Sequence, residues 1–142
     1  MKANKIVFPT DLSKTSTAAL GWATVLARDT GATLVIVHVE EPPVAYGGGE
    51  LYYGMDVGDR EKLQQALAGV RPADPGVKFV HKLLVGNPAR AIVQTAKDEQ
   101  ADLIVMGTHG RTGLLRVLMG SVAEMVVREA QCPVLTVRQP AK

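Results

Sequence analysis

The chain alternates short, almost continuously apolar runs with segments in which apolar residues recur every three or four positions. A continuous apolar run between turn residues is typical of a strand covered on both faces of a sheet, whereas the three-to-four spacing is typical of an amphipathic helix. The pattern predicts strands at residues 5–8, 33–39, 78–85, 103–106 and 133–137. It predicts helices at about residues 13–30, 59–70, 88–100 and 121–130.

Turn and capping residues set the predicted helix boundaries. Asn87 followed by Pro88 predicts a helix start, because Asn is a preferred N-cap and proline suits the first helical position. Gly31 is expected just past the end of the first helix. Ser121 with Glu124 three residues later matches the capping-box pattern, which predicts that Ser121 caps the last helix.

Two further predictions concern single side chains. Pro9 is expected to end the first strand, because proline has no N–H to donate to a sheet. Trp22 falls on the apolar stripe of the first helix with Ala19, Ala23 and Leu26, so the spacing predicts that it belongs to the core.

Strands that alternate with helices predict an α/β protein with right-handed crossovers. We expect a single domain over residues 1–142, with a doubly wound parallel five-stranded sheet, helices on both faces and the strand order 3-2-1-4-5. Sheets of this kind bind ligands outside the carboxyl ends of their strands, where the strand order reverses. Residues 9–13, residues 107–121 and the loop after the second strand are therefore the expected site.

Composition narrows the class of protein. The 142 residues are 46% hydrophobic with a formal net charge of +2, which fits one globular domain and disfavours disorder, nucleic-acid binding and anionic membranes. The one cysteine, Cys132, cannot form an internal disulfide, and the Cys and His spacings do not match a zinc site. Apolar stretches stay well short of a membrane span, so a cytoplasmic protein is expected.

Glycines punctuate the loop after the fourth strand. Two residues separate Gly107 from Gly110, nine separate Gly110 from Gly120, and Ser121 follows at a predicted helix start. Glycine lets the backbone approach a ligand closely, and a helix N-terminus attracts anions, so the pattern indicates a phosphate cradle. The alternative interpretation is that the glycines only shape a turn and Ser121 only caps a helix.

The Gly-x2-Gly-x9-Gly-Ser spacing resembles that of the universal stress protein family, in its nucleotide-binding branch. The similarity extends over the whole chain, through the segments Pro9-Thr10-Asp11-Leu12-Ser13, Val37-His38-Val39, Val85-Gly86-Asn87-Pro88, Leu103-Ile104-Val105-Met106 and Cys132-Pro133-Val134-Leu135. The resemblance implies a homodimeric cytoplasmic protein that binds ATP, with or without Mg²⁺, and serves stress survival or regulation. Any hydrolysis of the ATP is expected to be slow.

The resemblance also implies roles for individual residues. Asp11 is expected to accept hydrogen bonds from the ribose hydroxyls, although an acid at a helix start also stabilises the helix dipole. Val39 is expected to meet adenine through its backbone. The residues expected near the adenine ring are Pro9, Thr10 and Met106, and those expected around the ribose and phosphates are Gly107, Gly110, Gly120, Ser121 and Val122. From their place in the same loop, Arg111 and Arg116 are each expected either to screen phosphate charge or to be solvated. Met106 fits a plain core position equally well.

The other reactive residues are interpreted as structural. His38 and His81 lie in strand runs and are expected to be packed, His109 is treated as a loop residue, and Cys132 is treated as a buried small hydrophobe. The irregular segment 41–58 contains three tyrosines, Tyr46, Tyr52 and Tyr53. They are expected either to cover the ligand or to lie on a surface loop.

The last predicted strand lies at an edge of the sheet. The strand Val134–Val137 would be an unprotected edge, which supports a homodimer that pairs this strand with its copy.

Two alternative functions remain open. A flavodoxin-like FMN electron carrier is one alternative function, because the segment after the first strand is rich in hydroxyls. The other is a protein-interaction module in which nucleotide is only a structural ligand.

Overall fold

The computed structural model describes residues 2–41, 57–108 and 119–138. In chain order the elements are β1 (Lys5–Pro9), a short 3-10 turn (Lys14–Ser16), α1 (Thr17–Thr30), β2 (Thr33–Glu40), α2 (Val57–Ala68), β3 (Phe79–Val85), α3 (Pro88–Asp98), β4 (Leu103–Gly107), α4 (Ser121–Glu129) and β5 (Val134–Val137). Each predicted strand and helix is present, with ends that coincide with the prediction or differ from it by at most four residues.

The five strands form one parallel sheet in the order β3-β2-β1-β4-β5, which confirms the predicted topology. The strands are apolar on both faces because each face is covered by helices. Ile6, Phe8 and Leu34 pack in one core cluster with residues of α1 and α2. Val7 and Val35 point the other way and pack in a second cluster with residues of α3 and α4.

The sequence predicted that β1 stops before Pro9, but the strand includes Pro9 as its last residue. The Thr10 amide donates to the Val37 carbonyl of β2, and the Lys5 carbonyl accepts from the Asp102 amide on the β4 side. Even-numbered residues of β1 therefore bond towards β2 and odd-numbered residues towards β4. The missing N–H of Pro9 faces β4, and the pairing of β1 with β4 extends no further than Val7 and Ile104, as expected where a proline cannot donate the next ladder hydrogen bond.

Trp22 is not part of the core: 55% of its surface is exposed. The buried line of α1 is made of Ala19, Ala23 and Ala27, whose small side chains let the helix lie close to the sheet. Trp22 lies on the flank of that line, where an indole ring is too large to fit beneath a closely packed helix. The spacing identified the helix correctly but not the side chain's burial.

The two predicted helix starts behave differently. At α3, the Asn87 side chain accepts a 3.0 Å hydrogen bond from the Arg90 amide and Pro88 is the first helical residue, which confirms the prediction. At α4, Gly120 is the N-cap and Ser121 is already helical, so Ser121 does not cap the helix. The Glu124 carboxylate pairs instead with Arg128 at 3.0 Å. The capping-box prediction was therefore wrong.

Glu99, just after α3, joins the first residue of β1 and the middle of β3 to that helix. Its carboxylate contacts the Lys5 ammonium at 2.7 Å and the Lys82 ammonium at 3.0 Å. The hydrogen bond from Lys5, with that from Lys82, lowers the pKa of Glu99 below its ordinary value of 4.5. The bridge ties β1 and β3 to the same helix end.

Replacing Glu99 with glutamine should lower the free energy of unfolding at neutral pH by about 1 kcal/mol, a small value because both lysine side chains are partly exposed to solvent. A lowered folded-state pKa gives stability that is complete above the unfolded value and disappears as the pH falls through the folded value. Urea unfolding at about pH 7 and about pH 3 measures this, since the difference between the two proteins should shrink at the acidic pH. Glu61→Gln, which changes an exposed acid of α2, is the control. A difference that is equal at both pH values would contradict the ion-pair explanation.

Candidate functional site

A cavity of about 1020 Å³ opens at the carboxyl edge of the sheet, beside the central strand β1. This is the place where doubly wound sheets bind ligands, and the volume is at the upper end of the roughly 300–1,000 Å³ of small-molecule sites. All the elements except β3, β5 and α1 contribute to its wall. The residues of the wall include Pro9, Thr10, Asp11, His38, Val39, Glu40, Glu41, Lys62, Ile92, Met106, Gly107, Thr108, Gly120, Ser121, Val122 and Ala123.

The chain turns sharply where β1 ends. The Thr10 hydroxyl accepts a hydrogen bond from the Leu12 amide at 3.0 Å, and the Asp11 carboxylate accepts one from the Ser13 amide at 2.9 Å. The Ser13 hydroxyl also donates to the same Asp11 oxygen. Leu12 adopts a φ of 67°, a left-handed conformation that is uncommon for leucine. These bonds hold the Asp11 carboxylate at the cavity wall through a turn only three residues long.

His38 braces this turn from the neighbouring strand. Its imidazole is buried, and its Nδ1 lies 2.8 Å from the Thr10 carbonyl oxygen. A carbonyl oxygen only accepts, so Nδ1 carries the proton in this contact. The expectation that His38 is packed is thus correct, but the residue also positions the end of β1 and lines the cavity.

On the opposite side, β4 and α4 meet at the two ends of the glycine-containing loop. The Gly120 amide donates to the Thr108 carbonyl at 2.6 Å, and the Thr108 amide donates to the Val137 carbonyl at 3.0 Å. Since the Gly120 amide is already bonded, the amides of α4 without an acceptor inside the helix begin at Ser121. Ser121, Val122 and Ala123 are in the cavity wall, so the positive end of the α4 dipole lies at this side.

Charge is distributed unevenly around the cavity. Asp11, Glu40, Glu41 and Lys62 belong to the side formed by β1, β2 and α2. The side formed by β4 and α4 contributes backbone and small side chains, and the described part of that wall contains no carboxylate. An anionic group is therefore favoured at the α4 side, while hydrogen-bond donors are favoured near Asp11 and Glu40.

Apolar side chains form the surface between these two sides. Val39 and Val122 are half-buried, and both pack on the core cluster that includes Ile92 and Met106. Met106 is only 5% exposed, so it is a core residue and a wall residue at once. A flat ring system in the cavity would rest on these side chains, because apolar walls with few polar groups are typical of small-molecule sites.

The structure brings most of the predicted site residues together. Those that line the cavity are Pro9, Thr10, Asp11, Val39, Met106, Gly107, Gly120, Ser121 and Val122. Gly110, Arg111 and Arg116 lie outside the described residues, as do His109 and the three tyrosines of the irregular segment. Sequence reasoning missed the contributions of α2, through Lys62, and of Glu40. The only signal for Glu40 was its position next to Val39.

Residues away from the cavity have structural roles. The His81 Nε2 lies 2.8 Å from the Val70 carbonyl oxygen, and its ring packs edge-on against Phe79. Cys132 is half-buried, and this burial raises the pKa of its thiol, which disfavours the reactive thiolate. Over the described ranges, the structure has no cluster of three potential metal ligands and no helix long and apolar enough to cross a bilayer.

Comparison with known proteins identifies the family. The family model described as the universal stress protein family matches residues 2–138. A universal stress protein of Methanocaldococcus jannaschii is 43% identical over 145 aligned positions, which cover 97% of this chain and 84% of the relative.

Solved structures show the same fold. A member of the family from Burkholderia pseudomallei is 31% identical with a TM-score of 0.70, and the match covers 94% of this chain and 95% of that one. The universal stress protein of Archaeoglobus fulgidus, solved in complex with dAMP, is 28% identical with a TM-score of 0.65, covering 96% and 98% of the two chains. Sequence, topology and family model agree: this chain belongs to the universal stress protein family.

Proposed function

We propose that the cavity binds ATP and that the protein acts as a nucleotide-dependent regulatory or stress-survival module. The observation that carries the proposal is one cavity with the amino end of α4 on one side and the Asp11 carboxylate on the other. Backbone amides at a helix start favour phosphates, and a carboxylate favours the hydroxyls of a sugar. The dAMP complex of the relative from Archaeoglobus fulgidus supports a nucleotide as the ligand.

In this proposal the ligand lies across the carboxyl edge of the sheet. Ser121 and Val122 supply amides to the phosphates, and Gly107 and Gly120 leave room for the chain of phosphates to approach. Gly110 and Arg111 are assigned to the same phosphate-binding loop by the sequence. Asp11 binds the ribose, and the base lies at Val39 beside Pro9, Thr10 and Met106. Mg²⁺ is usually held through substrate phosphates together with few protein carboxylates, so it would arrive with the triphosphate.

Titration calorimetry of nucleotide-free protein with ATP tests the proposal. We expect one ATP per chain, and nucleotide should also be released when freshly purified protein is denatured. Hydrolysis should be far slower than the roughly 10 per second typical of enzymes, because the described part of the wall on the α4 side, where the phosphates are placed, contains no carboxylate that could activate a water. An absence of heat on titration, together with no released nucleotide, contradicts the proposal.

The alternative functions gain no specific support. A flavin site needs aromatic side chains against the isoalloxazine, and the described residues of the cavity wall include no Phe, Tyr or Trp. A protein-interaction module in which nucleotide is only a structural ligand would bind ATP in the same cavity. Nucleotide binding alone therefore does not distinguish it from a regulatory module. A cytoplasmic location, where ATP is available, fits either form of nucleotide binding.

We also propose a homodimer formed through β5. This strand is at the edge of the sheet, and its residues Val134–Val137 are half-buried rather than buried. An open edge that carries apolar side chains favours pairing with another strand. Light scattering at micromolar concentration should give twice the 15.1 kDa chain mass, whereas the mass of one chain would contradict the dimer.

A further inference from the structure

Trp22 is the largest apolar side chain that the described part of the protein leaves exposed, with 55% of its surface accessible. It is also the one tryptophan of the chain. Tryptophan is enriched where two proteins meet, because its large ring gains much from losing contact with water. The direction in which Trp22 points therefore indicates where a partner would bind.

The helical period and the chain topology determine the flank of α1 on which Trp22 lies. Ala23 is buried against the sheet, and α1 runs antiparallel to the strands that it connects. In a right-handed crossover, the residue after a sheet-facing one points towards the second strand, and the residue before it points the other way. Thr24 therefore points towards β2 and is buried, whereas Trp22 points towards β4 and β5.

The flank of α1 with Trp22 ends at an open edge of the sheet. Among the described elements, α1 and α2 cover this face, and α2 packs against β3 at the far edge. α1 itself contacts β5, and Leu135 and Val137 of that strand pack on the same core cluster. Within the described ranges, β5 pairs only with β4. Trp22 thus projects towards the side of β5 that has no strand beside it.

The opposite face of the sheet repeats this arrangement through α4. This helix contacts both α3 and β5, and Val126 is buried against the sheet. The crossover from β4 to β5 has β5 as its second strand, so Val127, the next residue, points away from α3 and past the edge. Val127 is exposed. Apolar side chains therefore flank the β5 edge on both faces of the sheet.

A second copy of the chain fits this surface better than it fits the other edge of the sheet. Val134–Val137 carries no charge, whereas the edge strand β3 contains Lys82, and a lysine discourages strand pairing. A stable interface buries roughly 800 Å² on each partner, which a strand of four residues is too short to supply alone. Antiparallel pairing of β5 about a two-fold axis would bring the two α1 flanks together on one face and the two α4 flanks on the other.

We infer that Trp22 and Val127 complete the homodimer interface by packing against the second copy on either side of the paired β5 strands. The inference rests on the proposed dimer through β5 and adds the side chains that stabilise it. Trp22 is the anchor on the α1 face, because a large aromatic ring that becomes buried contributes far more than its neighbours do. Val127 has the same role on the α4 face and, being smaller, contributes less.

The fluorescence of Trp22 tests the contact directly, because the chain has no second tryptophan. In the wild-type dimer, Trp22 should emit at a shorter wavelength than free tryptophan does and should be shielded from quenching by acrylamide. A dimer in which acrylamide quenches Trp22 as readily as it quenches free tryptophan would overturn the inference and leave pairing through β5 standing.

Sedimentation velocity over a dilution series measures the energetic contribution. Trp22→Ser should raise the dissociation constant of the dimer on the order of 100-fold, and Val127→Ser about ten-fold. Val25→Ser is the matched control, because Val25 is an exposed apolar residue of the same helix that points away from the sheet, and the dimer should be unchanged. Circular dichroism should show the same helix content in all three variants.

The outcomes separate the inference from the proposed dimer. A wild-type dimer whose dissociation constant is equally insensitive to Trp22→Ser, Val127→Ser and Val25→Ser would overturn the role of the two flanks. Equal weakening by all three variants would also overturn it, because the control would then show no preference for the β5 side. If the wild type sediments as a single chain at micromolar concentration, the proposed dimer fails and the inference fails with it.

Discussion

Replacing Asp11 with alanine is expected to weaken the binding of adenosine, AMP and ATP by the same factor, on the order of 10–100-fold. The factor is shared because the carboxylate acts on the ribose, which all three ligands contain. A carboxylate can accept from both sugar hydroxyls, and hydrogen bonds to a charged group are stronger than neutral ones. Calorimetric titration of the three ligands measures the effect.

Two variants separate binding from structure at this position. Asp11 also holds the turn through the Ser13 amide, so alanine removes a structural bond as well. Asp11→Asn keeps an oxygen for that amide but loses the charge, and it should still bind adenosine clearly more weakly than the wild type does. Asp29→Ala, at an exposed acid near the opposite edge of the sheet, controls for the change in net charge. A loss confined to ATP would show that Asp11 acts on the phosphates and not on the sugar.

Replacing Gly120 with valine is expected to weaken the binding of ATP by about ten-fold or more while leaving the binding of adenosine almost unaffected. Gly120 lines the cavity immediately before the free amides of α4, so a branched side chain there obstructs the phosphates. The protein should remain folded, since Gly120 has a φ of −70° and a ψ of 164°, an extended conformation that valine adopts readily. Thermal unfolding should show only the small loss expected from a poorer N-cap.

Ser121→Ala is the companion variant for the phosphate side. It removes a hydroxyl but keeps the backbone amide. The binding of ATP should therefore weaken only a few-fold if backbone amides supply most of the binding energy. If Ser121→Ala lost as much ATP affinity as Gly120→Val, most of the phosphate binding would be assigned to the Ser121 hydroxyl. Unchanged ATP affinity in Gly120→Val would contradict a phosphate position at the start of α4.

The strand order and the place of the site were predictable from local patterns. Runs such as residues 103–106, apolar on both faces, indicated a parallel sheet covered by helices, and the order of strands then located the cavity. Gly120 could be found from its spacing after Gly107 and Gly110 at a predicted helix start, whereas the role expected of Asp11 came from the resemblance to the family.

What the sequence could not predict depends on packing between distant elements. Trp22 matched the helical period, yet the alanines beside it set the distance between α1 and the sheet and left the indole exposed. Ser121 matched a capping pattern, but the bond from Gly120 to Thr108 moved the cap back by one residue. The contribution of Lys62 to the cavity wall is visible only when α2 and β2 are placed in space.

A crystal structure grown with an excess of ATP tests the central claim most directly. We predict density for the nucleotide across the carboxyl edge of the sheet, with phosphates at the amides of Ser121 and Val122 and the ribose at Asp11. A cavity that holds only water under those conditions, or a nucleotide bound elsewhere on the protein, would contradict the account.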